Sequence, residues 1–547
     1  MTSPASRPTS IDIDDGNETI HNTLTSPVAA MINLSLSPTM LCDDDLGYNL
    51  ASASKLIPLS LTDSASDERP LPSLHSPLIF RDTSYAGIFI LHFLLALVAT
   101  GSVRMNGDHV EERRDILGDL RDSQDEDSAE QDDADVIMAL RSLCVVNLLF
   151  ALGWLLLFVF SSKLLFVRGS CIFSMAGLLT LIVTLFLLGS NLGIIWGIIC
   201  TGIVMLELVW YIRSSQKLDF VGVFFELVVD FLLTRPALGY ATCAALIVYT
   251  IWAFWLCTTI GFVGREVSPW NISVIYLIFH LYWMSNVFKN IITLVTSGTT
   301  LFWYCRNEST EVSPDNREHI ADHDSPKGGG FRQTQQDVIM NCLDRKVVLH
   351  YARCALSSSF GSICIGSLLG PLAHLLWNAL RWARRDESTI SRRFVSLRSE
   401  RVEHFIRTYH KYSFVHIAGY NKPFHVAAHD AWDLIEHHGV EAIVDDDLTS
   451  RILLFGCNGW AGIMSALTAS ALAHASSHAI FFTVVAFALC YTSISMATQV
   501  VTAVTKTLFV CFAENPARLS QLHPIIYHRF VRLSELKSFR DLGKPTD

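Results

Sequence analysis

The sequence predicts an all-α, polytopic helical membrane protein of about ten membrane helices with both termini in the cytosol. Half of the 547 residues are hydrophobic and only 17% are charged, too apolar a balance for a soluble chain of this length. The mean hydropathy is +0.35. Nine apolar stretches, 85–103, 140–161, 170–189, 191–212, 238–262, 271–304, 346–371, 451–473 and 478–505, reach the roughly 20 residues that a hydrocarbon core about 30 Å thick requires.

Residues 1–84, rich in Ser, Thr, Pro and Asp, are expected to form a disordered cytosolic arm. The first apolar run begins only at Tyr85, so no cleavable signal peptide is expected ahead of it. Residues 85–512 form the membrane domain. Between its first two spans, 104–136 holds 13 Asp/Glu against four Arg, a balance of −9 by counting, which reads as a solvated acidic loop. After the fourth span, "KLDFVGVFFELVVDFLLTRP" sets Asp219, Glu226 and Asp230 among bulky apolar residues, the pattern of a helix lying along an interface, and Pro236 ends it.

Positive charge fixes orientation. Segment 379–411 carries nine Lys/Arg against four acids and belongs in the cytosol, as does the basic tail 513–547. The hairpin of 451–473 and 478–505 keeps the two on one side. Seven spans from a cytosolic amino terminus would nevertheless deliver residue 372 to the outside, so one element is missing. Either "FIRTYHKYSFVHIAGYNKPFHVAA", 405–428, inserts as a protein-buried element, or Trp270–Tyr304 is a broken helix that enters twice.

No phosphate-binding loop, nucleophile elbow or zinc motif is present, so neither an enzyme nor a cofactor is expected. His425 and His429 stand at helical spacing before His437 and His438, but lack the acidic or thiol partners of a metal site. A net charge of −11 argues against nucleic acid as a partner. The 13 cysteines have no disulfide-like spacing, and most lie in apolar spans as small hydrophobes.

Polar groups inside spans are costly, and so they mark function. In "FHLYWMSNVFKNIITLVTSGTT", Asn286, Lys289, Thr293 and Thr296 share one helix face, which requires water, a solute or a partner helix. Trp252, Trp255, Tyr282 and Trp283 offer electron-rich rings to an ammonium group, against the commoner use of such rings in packing. Glu207, late in the fourth span, either joins a site or snorkels to the cytosolic interface. Cys354, Ser358, Ser362, Gly366 and Gly370 recur every fourth residue and predict a flat helix-packing face. Gly456, Gly459 and Gly462 predict another.

Four ordered motifs, "YWMSNVFKNIITLVTSGT", "SSFGSICIGSLL", "FVHIAGYNKPFHVAAHDAWDLI" and "TLFVCFAENP", resemble the choline transporter-like family of solute carriers, in particular its fungal pH-nine-sensitive branch. The resemblance implies a ten-helix, multi-pass carrier in the plasma membrane that moves choline or a related organic cation, with 405–428 as the missing element. Two positions depart from the family pattern. Asn286 stands where animal members tend to carry Glu, and Lys506 stands where Asp usually precedes "TLF", which removes countercharge for an ammonium. The expected function is therefore transport of a small solute by alternating access. The alternative is a lipid-organising or interaction protein that moves nothing.

Overall fold

A chain with this much apolar surface and no water around its middle must satisfy every backbone group internally, and helices do so within one segment. The computed structural model describes residues 79–118, 123–215, 218–266, 272–305, 329–385, 401–437, 448–473 and 479–532, and every regular element among them is helical. All lie in the compact unit Leu50–Asp547. The expected arm 1–84 lies outside the described residues except for its last six, as do residues 386–400 of the basic segment and the end of the tail.

The first helices are α1 (Thr83–Gly118), α2 (Ser123–Phe160), α3 (Lys163–Leu188), α4 (Asn191–Ser214) and α5 (Leu218–Thr234). Then come α6 (Pro236–Glu266), α7 (Ile272–Cys305), α8 (Gly329–Leu356), α9 (Phe360–Arg385) and α10 (Ser413–Tyr420). The last are α11 (Phe424–His437), α12 (Thr449–Leu472), α13 (Ala479–Ala497), α14 (Gln499–Glu514) and α15 (Pro516–Leu522).

Local chemistry explains several boundaries. Gly189 adopts the left-handed conformation (φ 66°) that closes α3, and the Ser190 hydroxyl accepts from the Gly193 amide to open α4. Asn515 caps α15 by accepting from the Arg518 amide, with Pro516 at the first helical position, where its missing N–H costs nothing. In α5 one face carries Val221, Phe224, Phe225 and Val228 into the core, while Asp219, Glu226 and Asp230 are exposed. At 17 residues it is an amphipathic helix shorter than an ordinary span.

Among the described residues, eight helices are long and apolar enough to cross a membrane by length and composition: the apolar parts of α1, α2, α6 and α9, and α3, α4, α12 and α13. α7, 34 residues long and so roughly 50 Å from end to end, could span as well, but its polar residues keep it out of that group. In α12, 67% of the apolar window is buried, against 22% in α1 and α4, so α12 is a central helix and the other two form the rim. Leu91 and Leu95 of α1, Leu187 of α3 and Leu206 of α4 are exposed, as lipid-facing side chains should be.

Three expected elements come out differently. The stretch 346–371 is not one span. α8 ends at Leu356, residues 357–359 form a turn, and α9 restarts at Phe360. The polar run Ser357-Ser358-Ser359 supplies hydroxyls that compete with helical bonding, and the Ser357 hydroxyl donates back to the Arg353 carbonyl. The stretch 478–505 is likewise interrupted at Thr498, between α13 and α14. The acidic 104–136 is mostly helical backbone, because α1 runs on to Gly118 and α2 begins at Ser123. Its Glu, Ala, Gln and Arg are good helix formers, and it contains no proline. α7, by contrast, is continuous, so it does not enter twice. The stretch 405–428 contains a helix end at 408, α10 and the start of α11, with non-helical residues 421–423 between the last two. α10 has eight residues and buries Phe414, Val415 and Ile417, too short a piece to cross.

Helices associate in lipid by close approach rather than by hydrophobic drive. The tightest seam is α3 against α12, where a side chain on Gly177 would collide with the Gly459 carbonyl, and one on Gly462 would lie 2.5 Å from the Gly177 carbonyl. Replacing Gly459 with Leu should therefore separate these helices and cost more than the about 1–3 kcal/mol of ordinary overpacking. A thermal-unfolding midpoint for the purified variant equal to that of the parent would refute the seam.

A second tie is polar. Asp82, at a φ of 52°, opens α1. Its carboxylate accepts from the Ser362 hydroxyl (2.6 Å) in the first turn of α9 and from the Phe424 amide (2.8 Å) at the start of α11. The Arg81 amide donates to the Ser358 carbonyl at 2.9 Å. Charge-assisted bonds of this kind contribute about 1.5–3 kcal/mol each. Asp82→Ala should lower the unfolding midpoint clearly, and Asp82→Asn, which keeps one acceptor, should fall between. Equal midpoints for all three proteins would show that the tie carries no load.

Candidate functional site

The face of α7 that carries Asn286 and Lys289 does not close against a neighbouring helix. It opens on a cavity of about 520 Å³, bounded also by α9, the 409–414 turn, the first turn of α12, α13 and α14. α7 contributes Tyr282, Ser285, Asn286, Lys289 and Asn290. α9 contributes Gly366, Gly370, Pro371, His374 and Asn378. Gly366 permits the tight corner there, since a Cβ would lie 2.6 Å from the Phe414 ring and 2.7 Å from that of Phe424. Pro371, inside α9, has no N–H to return to the Ser367 carbonyl and so loosens the helix beside the cavity.

The remaining wall is aromatic and basic. Tyr409, Lys411 and Phe414 come from the turn and α10. Phe487 and Tyr491 come from α13, and Gln499 and Lys506 from α14. The Lys289 ammonium lies over the Tyr491 ring, 5.7 Å from its centroid, a cation–π arrangement. Lys289 of α7 and Lys411 of the turn line the same space. Three lysines therefore line the space, with His374 and His410, and among the described residues no Asp or Glu does.

Amides and hydroxyls brace the walls. Tyr282 donates its hydroxyl to the Leu368 carbonyl at 2.9 Å, and the Asn286 side-chain amide donates to the Tyr282 carbonyl at 2.8 Å. Asn290 donates to the Ser367 hydroxyl at 2.9 Å, tying α7 to α9. Gln499 donates to the Thr293 hydroxyl at 2.8 Å, tying α14 to α7. Thus the predicted polar face divides: Asn286 and Lys289 meet the cavity, while Thr293 and Thr296 are buried in packing beneath it.

Of the other residues singled out by sequence, Tyr282, Gly366 and Gly370 line the cavity; Trp252, Trp255, Trp283, Glu207, Ser358 and Ser362 do not. Trp283 is 5% exposed, donates its indole N–H to the Cys364 carbonyl at 3.1 Å and packs edge-on to Phe89 of α1. Trp252 packs on Tyr249 and His280, and Trp255 is half-buried against the core. Glu207 is 7% exposed and accepts from Ser174 (2.8 Å) and Asn458 (2.7 Å), which joins α4 to α3 and α12. The row from Cys354 to Gly370 is split by the 357–359 turn, so it is not one continuous helix face. Ser358 and Ser362 serve the Arg81–Asp82 tie instead.

Sequence reasoning did not place Lys411, Tyr409, Phe414 or Tyr491 at the site. Lys411 looked like one more charge of the basic segment, and only the burial of α10 turns its turn inward. Cysteine introduced at Asn378 or Gln499, in a chain otherwise free of cysteine, should react with a water-soluble maleimide in intact membranes, and cysteine at Trp283 should resist it. Equal labelling at all three positions would mean that the cavity is not the water-accessible space described.

A family model described as a plasma-membrane choline transporter matches residues 142–517. A CTL-like protein of Dictyostelium discoideum is 24% identical over 364 residues, covering 63% of this chain and 58% of that protein. The protein pns1 of Aspergillus fumigatus is 24% identical over 279 residues, 48% of this chain and 45% of its own. PNS1 of Saccharomyces cerevisiae is 26% identical over 282 residues, with shares of 47% and 45%. The chain thus spans about half the length of the curated relatives it matches.

Proposed function

This chain belongs to the plasma-membrane choline transporter family, a family of transporters rather than enzymes, and from that premise we propose that it carries a small solute by alternating access through the cavity on α7. It is a multi-pass membrane protein; the family's description supports the plasma membrane as its location. The observation that carries the reading is the polar face of α7. Asn286, Lys289 and Asn290 meet a common cavity rather than disappearing into helix contacts, which is what separates a carrier from a lipid-organising protein. A volume of about 520 Å³ suits a small-molecule ligand.

Choline or another organic cation is the cargo that the family's name supports, and the rings of Tyr282, Tyr409 and Phe487 are of the kind that binds an ammonium. Access to alternate sides requires that the walls rearrange, and Pro371 within α9, the 409–412 turn and the junction at Thr498 adjoin the cavity.

The test is uptake of labelled choline, followed by a panel of labelled polar metabolites, in cells lacking their own choline carriers, with surface abundance measured in parallel. Gly370 has room for a side chain, its nearest neighbour being the Tyr409 carbonyl at 3.6 Å. Gly370→Trp should therefore fill the cavity and reduce uptake of whichever solute is carried by about tenfold or more, equivalent to at least about 1.4 kcal/mol, at unchanged surface abundance. Undiminished uptake by this variant would remove the cavity from the transport path.

A further inference from the structure

We propose that the cargo carries an anionic group, a carboxylate or a phosphate, held between the ammonium groups of Lys289 and Lys411. This rests on the reading of the cavity as the cargo site and names the class of cargo.

The two lysines come from separate segments, one from the middle of α7 and one from the turn before α10, yet both face the same space. Among the described residues, neither has a carboxylate within ion-pair distance. Lys506, from α14, lines the same wall. Removing an ammonium from bulk water is costly unless an opposite charge or hydrogen-bond acceptors replace its hydration. A recess lined by one sign of charge concentrates ions of the other sign. An anion between the two lysines satisfies both requirements at once. A lone cation satisfies neither. It would meet the ammonium groups of Lys289 on α7 and Lys411 on the turn, and the Tyr491 face that could receive it is already covered by the Lys289 ammonium. The aromatic rings remain available to the apolar or ammonium part of a larger cargo, so a zwitterion fits where choline alone does not.

The test uses the purified full-length protein and four probes: choline, glycine betaine, phosphocholine and inorganic phosphate. The first three share a trimethylammonium group and differ in the anion beside it. Glycine betaine or phosphocholine should raise the thermal-unfolding midpoint at about tenfold lower concentration than choline. Lys289→Met and Lys411→Met should each weaken that effect by about tenfold or more, while Lys289→Arg retains most of it. If a methionine variant does not fold, the ranking of the four probes on the unaltered chain decides. Choline acting as strongly as its anionic analogues overturns the proposal, as does an anion effect that survives both methionine variants, or no response to any probe. Choline stabilisation that Tyr491→Ala abolishes would leave the cavity as the cargo site and remove only the anionic class. A response confined to phosphatidylcholine vesicles would keep the anionic chemistry, assign it to a lipid headgroup and overturn the solute-carrier reading instead.

Discussion

The carboxylate of Asp82 is the constraint on which the arrangement around the cavity depends. One charged group meets the first turn of α9 and the first amide of α11, and its own carbonyl receives the Tyr85 amide of α1. Helix amino termini present unbonded N–H groups and a partial positive charge, so a carboxylate placed among several of them is stabilised by each. Arg81 adds bonds to the Ser358 and Asn421 carbonyls, at the turn before α9 and at the end of α10. The dipeptide thus supplies donors and acceptors to the breaks that a membrane environment would otherwise leave unsatisfied. Gly361 records the closeness of the approach, since a side chain there would strike the Asp82 backbone. With α9 and α11 fixed in this way, Phe414 and Phe424 close over Gly366, and the turn that bears Lys411 faces α7.

Much of the helical framework was legible because it obeys local rules. Apolar length marked out α1 to α4, α6, α12 and α13, and Gly189-Ser190 and Asn515-Pro516 announce their own boundaries. The small-residue periodicity of α12 also spoke truly of contact, because Gly459 and Gly462 do meet Gly177. The same periodicity misled at 354–370. Spacing of four residues is only informative on an unbroken helix, and the three serines at 357–359 break this one. The Ser357 hydroxyl satisfies one freed carbonyl locally, but the Arg81 amide satisfies another from nearly 280 residues away in sequence, which no local pattern encodes.

The site was legible in part for a related reason. Asn286 and Lys289 stand out because polar groups on a long apolar helix are expensive and need an explanation. Trp283 and Trp252 stood out on the same segment by chemistry alone, but position on the helix decides their use. Trp283 is one residue from Tyr282, so the two point about 100° apart, one toward α1 and α9 and the other toward the cavity. Glu207 was ambiguous for want of its partners. Ser174 and Asn458 lie 33 and 251 residues away, and the three together form a buried polar link between helices rather than a snorkelling side chain.

The distribution of close packing and of breaks sets how this molecule can change shape. The α3–α12 seam brings backbone against backbone at Gly177, Gly459 and Gly462, with the Phe173 ring packed beside Gly459, and so it behaves as a unit. The segments on the other side of the cavity are of a different kind. Pro371 leaves the Ser367 carbonyl without its helical amide, and Thr498 separates α13 from α14. The 409–412 turn is held through side chains, with the Ser413 hydroxyl donating to the His410 carbonyl and the His410 ring to that of Ala428. Bonds of this kind can be exchanged for others without unwinding a helix, whereas a glycine seam can only part. The lysines of the cavity are divided between the two sorts of element: Lys289 sits on the continuous α7, and Lys411 on the turn. An anion held between them, as proposed, would draw the turn toward α7, so occupancy of the cavity and the position of its most adjustable wall would be coupled by the same electrostatic contact.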